Sequence, residues 1–367
     1  MKKLTLSFVL ILITFMMPQA EAANSVVRIT APIHQTYSGE FRNDDLVEKL
    51  TPSGQLGQLI FRPVEKYRTW VIDPALVDEI LAMTTTYKLA TGAEPSGTEI
   101  AFDWMMQLRK VTADNDVIAL PYGNPDVRLA KKLAPSELRS YYSFGKERLQ
   151  LALGRVVRSE PSQNWSVGNS TLNNDLRGNY TDSRRALTKL TQVVDSTDLV
   201  MMRARLAQLL SPELKKDSRK YFSYSAANAV KDVVRKLRIN SGKYQITTSS
   251  VDLPVTVINE FDVDVTINVT MVPQNTRVRV GSFYDVVIPA QSKRQLEMSV
   301  NVVAPGQTTV LATISDTDGD EVVPAALLTL NSTVIDPKVT WFTSASAILL
   351  LLAAVAQSVR RVRRRGK

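Results

Sequence analysis

The chain has 367 residues, no cysteine, one histidine and a formal net charge of +9. Disulfide scaffolds, zinc sites built from cysteine and histidine, and metal sites needing two histidines are thereby excluded. The charge says less than it suggests: Arg360, Arg361, Arg363, Arg364, Arg365 and Lys367 supply six of the nine and Lys2 and Lys3 two more, so the remainder is near +1 and holds no basic domain for nucleic acid.

Residues 1–22 read as a signal peptide. Lys2 and Lys3 precede an apolar run over 4–17, and Ala20-Glu21-Ala22 follows Pro18, with cleavage expected after Ala22. An uncleaved N-terminal anchor is the alternative. Residues 23–154 read as a reduced α/β domain, a partial barrel-like unit. A short strand is expected at 26–29 and short helices at 44–50 and 53–61. The apolar run 69–72 is a buried strand ended by Asp73-Pro74. A helix over 75–83 follows, with Asp73 as N-cap and Pro74 at its first position. Residues 98–111 form an amphipathic helix with Ala101, Met105, Leu108 and Val111 on one face. A second strand at 116–120 runs into Pro121-Tyr122-Gly123-Asn124-Pro125-Asp126. Helices are expected from Pro125 to about Leu133 and over 136–154. Strands separated by helices in this order argue for a parallel sheet with helical crossovers.

In parallel α/β folds, sites lie at the carboxyl ends of the strands. Asp73, Tyr122, Asn124 and Asp126 are therefore the candidate site residues. Asp73 with Asp126 would supply the two carboxyl groups, about 5–10 Å apart, that a glycosidase uses. A structural reading competes: Asp73 and Asn124 each precede a proline at a helix start, where such residues cap. His34 lies in a segment without a nucleophile elbow, which disfavours a Ser-His-Asp triad. No cofactor and no metal is expected.

Residues 155–183, rich in Ser, Asn and Gly, read as a polar loop or linker. Trp165 in this loop is the tryptophan placed to meet a sugar ring, whereas Trp70 and Trp104 read as core. Residues 184–242 form a helical segment, with helices at 184–195, 198–210 and 226–237. From 243 to 336 the period is two. Val263, Val265, Ile267, Val269 and Met271 alternate with polar residues, as do Leu296, Met298, Val300 and Val302. Seven or so short strands divided by turn signals make an immunoglobulin-like β-sandwich without its cysteine pair. The run 316–321 resembles a calcium loop, but its glycine is out of the EF-hand position and a hairpin turn explains it.

Residues 339–359 carry no charge and read as one C-terminal transmembrane helix, long enough at about 1.5 Å per residue to cross ~30 Å of hydrocarbon. Trp341 marks its upstream edge. Arg360, Arg361, Arg363, Arg364 and Arg365 in the tail 360–367 set the orientation, which leaves the bulk of the chain outside the plasma membrane and makes membrane lipid an expected partner.

TWVIDPALVDEI (69–80), FDWMMQLRK (102–110), VIALPYGNPD (117–126), SVDLPVTVINEFDVDVTINV (250–269) and the RRVRRR tail occur in that order. Together they resemble an actinobacterial domain-of-unknown-function family of exported, C-terminally membrane-anchored envelope proteins, often encoded beside the lipid II flippase. The resemblance touches both domains. It implies an α/β part similar to the barrels of polysaccharide deacetylases and some glycosidases, which carries no activity by itself. Longer relatives have more sequence after the Pro121-Tyr122 strand, and the family pattern usually has an acid where this chain has Asn124. A metal-dependent deacetylase needs more histidines than this chain has. The resulting expectation is a single-pass cell-envelope protein with a non-catalytic binding or scaffold role. Its partners would be other envelope-assembly proteins or cell-wall glycan, and not nucleic acid. The alternative is a carbohydrate-active hydrolase using Asp73 and Asp126. A third reading makes the shortened α/β part a relic.

Overall fold

Three apolar runs near the amino end lie side by side as parallel strands. They are β1 (Ser25–Ile29), β2 (Arg68–Ile72) and β3 (Asp116–Ala119), in the order β1-β2-β3. The computed structural model describes residues 25–62, 68–163, 165–333 and 337–365, so the signal-peptide reading of 1–22 lies outside the described residues. Parallel neighbours need crossovers, because each strand must restart at the same end. Helices α1 (Asp45–Leu50) and α2 (Gln55–Phe61) make the first crossover. Helices α3 (Pro74–Met83) and α4 (Thr98–Thr112) make the second, and α5 (Val127–Leu133) and α6 (Pro135–Leu153) follow β3. Among the described residues this sheet has three strands and is not closed into a barrel. Its β3 edge is covered by one extended residue: Arg158 N donates to the Val117 carbonyl and Ala119 N to the Arg158 carbonyl, at 2.9 and 2.8 Å.

The pleat sends successive side chains to opposite faces. Trp70 and Ile72 enter the main α/β core with Trp104, Leu108 and Leu149. Val71 and Ile118 point the other way, with Leu120, and Trp165 packs over them. The tryptophan read as a sugar platform is thus a half-buried cover for the second sheet face.

A helical layer comes next: α7 (Asn174–Leu190), α8 (Thr197–Arg205), a 3-10 turn (Leu206–Leu210) and α9 (Lys216–Val234). The polar segment expected to be loop through 183 turns helical at Asn174. Leu176, Tyr180, Ser183 and Leu187 recur at helical spacing and are buried, and the Asn173 side chain accepts from Leu176 N at 2.9 Å as cap. The buried Tyr141 and Tyr180 hydroxyls meet at 3.0 Å and tie α6 to α7. One apolar core then runs from Tyr180, Leu187, Phe222 and Val230 into Leu237, Val257 and Ile267 of the β part.

That part is a two-sheet sandwich. Its strands are β4 (Leu237–Ile239), β5 (Gly242–Ile246), β6 (Ser250–Asn259), β7 (Val265–Pro273), β8 (Val278–Val280), β9 (Phe283–Ile288), β10 (Ser292–Val302), β11 (Gly306–Ser315) and β12 (Ala326–Ser332). One sheet runs β4-β6-β10-β8 and the other β5-β12-β11-β7-β9, with only β5 and β12 paired in parallel. Leu296, Met298 and Val300 of β10 face Val265, Ile267 and Val269 of β7 through the shared core, as alternation requires. The run 316–321 is a turn: the Asp316 carboxylate accepts from Asp318 N and Asp320 N at 3.0 and 2.8 Å, and no metal-holding cluster occurs among the described residues.

Helix α10 (Pro337–Arg365) ends the described chain. No helix among the described residues is long and apolar enough to cross a membrane. This finding overturns the transmembrane reading of 339–359 and the single-pass plasma-membrane placement. The orienting role given to Trp341, Arg360, Arg361, Arg363, Arg364 and Arg365 falls with them. The unbroken apolar run within α10 is 347–356, about 15 Å of helix against ~30 Å of hydrocarbon. Thr343, Ser344 and Ser346 precede it, and Gln357 and Ser358 follow.

Candidate functional site

The carboxyl ends of β1, β2 and β3 lead into Thr30, Asp73 and the turn 121–124. A parallel α/β fold normally opens its site there. In this chain residues 206–213, which follow α8, fill that end. Gly123, at φ +78°, lies so close to Gln208 that an added Cβ would sit 2.7 Å from Gln208 Cγ and 2.8 Å from its backbone nitrogen.

Most polar groups beneath this plug are paired with one another, although Gln208 Oε1 and His34 Nδ1 have no hydrogen-bond partner. Asp73, 2% exposed, accepts from Ala75 N and Gly123 N through one oxygen, both at 3.0 Å. Burial pushes its carboxyl well above the usual carboxylate range, against the two amides that favour the charged form. Asn124 does not cap a helix. It sits at φ 45°, its Oδ1 accepting from Arg28 Nη2 (2.9 Å) and Ser166 Oγ (2.5 Å). Its amide donates to Glu213 Oε1 at 3.1 Å, an oxygen that also takes the Thr30 hydroxyl at 2.6 Å. The helix instead starts two residues later, with Asp126 as cap. Asp126 Oδ1 accepts from Arg128 N (3.0 Å) and its Oδ2 from Ser170 N (2.9 Å). Tyr122 donates to Asp78 Oδ2 at 2.9 Å, and Asp78 is paired with Arg148 at 2.8 Å. Burial raises the Tyr122 phenol, with the Asp78 charge adding to it. Glu79 accepts from His34 N (3.0 Å) and Gln208 Nε2 (2.9 Å).

Glycoside hydrolysis needs one carboxyl as proton donor and a second as base or nucleophile, both reachable by the sugar. Asp73 and Asp126 are each 2% exposed or less and committed to backbone amides. They meet the capping reading, and of the two only Asp126 lines one of the clefts described below. Sequence reasoning missed Arg28, Glu79, Gln208 and Glu213, whose partners lie as far as 183 residues away. The one local signal was Glu79 itself, an acid inside the apolar helix PALVDEILAM.

An open surface lies just outside the plug. Two adjoining clefts, about 390 and 480 Å³, share Asn169, Ser170 and Thr171. Arg128, Lys132 and Arg177 line the first, Lys216 and Arg219 the second, and Asp126 is the one acid in either. None of these five cations forms an ion pair among the described residues. Arg219 is buried and gives its guanidinium to the carbonyls of Thr171, Ser211 and Leu214; desolvation lowers its proton affinity. Such a groove presents an excess of positive charge beside hydroxyl and amide groups. Its sequence traces, Lys131-Lys132 and Lys215-Lys216, sit on different helices that only the fold brings together.

Fold and groove together define an α+β protein with closed strand ends and a cationic face. Residues 161–365, more than half of the chain, match a family described as a family of unknown function (DUF6049), and the chain belongs to that family. The match takes in α7 to α10 and the whole sandwich, but not the three-stranded sheet. No curated protein matches the chain. Solved structures with partial similarity include WR4, a C. elegans MSP family member (12% identity, 27% of this chain and 98% of that one, TM-score 0.21). Others are the ASH/PapD-like domain 7 of human CEP192 (9%, 27% and 85%, TM-score 0.22) and the E. coli chaperone DraB (11%, 26% and 55%, TM-score 0.19). Scores this low carry no argument about function.

Proposed function

We propose that this chain is a non-catalytic binding protein of cell-envelope assembly and that its groove holds an anionic cell-wall glycan. The observation that carries the reading is the set of four exposed cations, Arg128, Lys132, Arg177 and Lys216, which form no ion pair among the described residues along two adjoining clefts. No aromatic ring lines either cleft, so the groove has no stacking platform for bases. Asn169, Thr171 and Asn173 supply the amides and hydroxyl that sugar hydroxyls need. The motifs at 69–126 and 250–269, which resemble those of actinobacterial envelope proteins, support the envelope setting.

Titration of the full chain with an oligogalacturonate, a neutral malto-oligosaccharide of equal length and a single-stranded oligonucleotide tests this. The acidic sugar is expected to bind, more weakly as salt rises, and the neutral one not to bind. Lys132→Glu with Arg177→Glu should weaken binding at least tenfold. Unchanged affinity in that variant, or preference for the oligonucleotide, would refute the glycan reading.

A further inference from the structure

A second, smaller recess of about 210 Å³ opens on the other side of the plug, between the segment after β1 and the start of α9. Arg42, Lys49 and Lys215 line it, and none of them forms an ion pair among the described residues. Two of these cations are nevertheless fixed in place. Arg42 Nη1 donates to Ser218 Oγ at 3.1 Å, and its guanidinium lies 4.7 Å over the Tyr221 ring. Lys49 Nζ lies 3.1 Å from Nε2 of His34, which is 6% exposed. An ammonium only donates, so Nε2 accepts and the ring proton sits on Nδ1. Nδ1 faces Glu79 Oε2 at 3.4 Å and has no hydrogen-bond partner. Glu79 is held in turn by Gln208. Two acids also line the recess, each hydrogen-bonded to neutral donors: Asp45 accepts from Asn43 at 2.7 Å, and Glu213 from Thr30 and Asn124, so the lining carries three cations against two carboxylates.

Positioned cations that form no ion pair among the described residues and outnumber the carboxylates lining the hollow, in a space of this size, are what a tetrahedral oxyanion requires. We infer that the recess binds a phosphate group, with Lys49 and Arg42 as its principal donors and Lys215 closing the mouth. Arg42 keeps guanidinium hydrogens beyond the one given to Ser218, and Lys49 keeps two beyond the one given to His34. The phosphate is either free or carried by a sugar. This inference uses none of the groove residues and stands apart from the glycan reading.

Calorimetric titration of the full chain with inorganic phosphate, a hexose 1-phosphate and the uncharged hexose tests it. Either phosphate compound should bind and the uncharged hexose should not. Tighter binding of the hexose 1-phosphate assigns the site to a sugar phosphate; tighter binding of inorganic phosphate assigns it to the free ion. Lys49→Met and Arg42→Met should each weaken binding at least tenfold, while Lys132→Glu with Arg177→Glu leaves it unchanged. Lys215→Met, at an exposed position, keeps the test valid if a deeper variant fails to fold, and should weaken binding severalfold. No binding of either phosphate compound overturns the inference. So does binding that survives in the recess variants and disappears in the groove variant.

Discussion

Replacing Asp73 by alanine is expected to cost about 3 kcal/mol of stability, and replacing it by asparagine less than about 1 kcal/mol. Alanine leaves the buried amides of Ala75 and Gly123 without an acceptor. Asparagine keeps it, because both amides use the same oxygen. The two variants also separate in their pH dependence. Burial raises the folded carboxyl well above its ordinary value of 3.8. The folded chain therefore holds this proton at pH values where the unfolded chain, near 3.9, has released it. The contribution is greatest below about pH 4 and is lost as pH rises through the folded value. Asparagine cannot lose a proton, so its stability relative to wild type should improve from pH 4 upward. Urea melts of the three proteins at a series of pH values measure this. An Asp73→Asn variant that weakens relative to wild type with rising pH would mean that an ionised Asp73 is favourable, which contradicts the structural role.

Gly145→Ala is expected to reverse the usual sign of a glycine-to-alanine change within a helix. At an ordinary helical position alanine stabilises by about 1 kcal/mol. At Gly145 the new Cβ would lie 2.7 Å from the Leu120 carbonyl oxygen, 2.9 Å from Tyr122 N and 3.3 Å from the Pro74 ring. The first two are backbone atoms at the end of β3 and cannot rotate away. Tyr122 N also donates to the Tyr141 carbonyl of α6 at 2.9 Å, so helix and strand end are locked at this approach. The variant should lose about 2 kcal/mol or more, as overpacked cores do. It should also disturb the plug, because Tyr122 and Gly123 carry the displacement to Gln208. Thermal melting that shows Gly145→Ala as stable as wild type would mean that α6 is free to move off the strand.

Much of this architecture is written locally, and the rest is not. Strand β2 is legible because 69–72 is an apolar run cut by Asp73-Pro74, and Asp73 caps α3 as that dipeptide announces. The same logic misplaced the next cap: Asn124-Pro125 has the same form, but Asn124 adopts a positive φ and Asp126 does the capping. Residues 174–183 looked like loop because Asn, Asp, Gly and Ser dominate them. Their sparse apolar positions, Leu176 and Tyr180, lie at helical spacing and are held by tertiary packing. The sandwich strands were legible from their alternation. The run 339–359 lacks charge, but its serines, threonines and glutamine cut the apolar stretch short, and charge alone did not register that. Closure of the strand ends was invisible in the sequence. It depends on Glu213 meeting Thr30 and Asn124, and on Gln208 meeting Glu79, contacts that exist only once the helical layer has folded back over the sheet.

Closed strand ends commit the carboxylates Asp73 and Asp126 to backbone amides. The hydrogen bonds of this buried cluster run from β1 through the turn 121–124 to the segment before α9. The proposed binding surfaces lie around the plug, where exposed cations form no ion pair among the described residues.

Hydrogen exchange of the full chain, free and with excess oligogalacturonate, tests that division most directly. Slower exchange at 168–177 and 215–220, with the amides of Ala75 and Gly123 unchanged, is the predicted result. Protection at Ala75 and Gly123 while the groove amides exchange as before would place the ligand at the strand ends and contradict it.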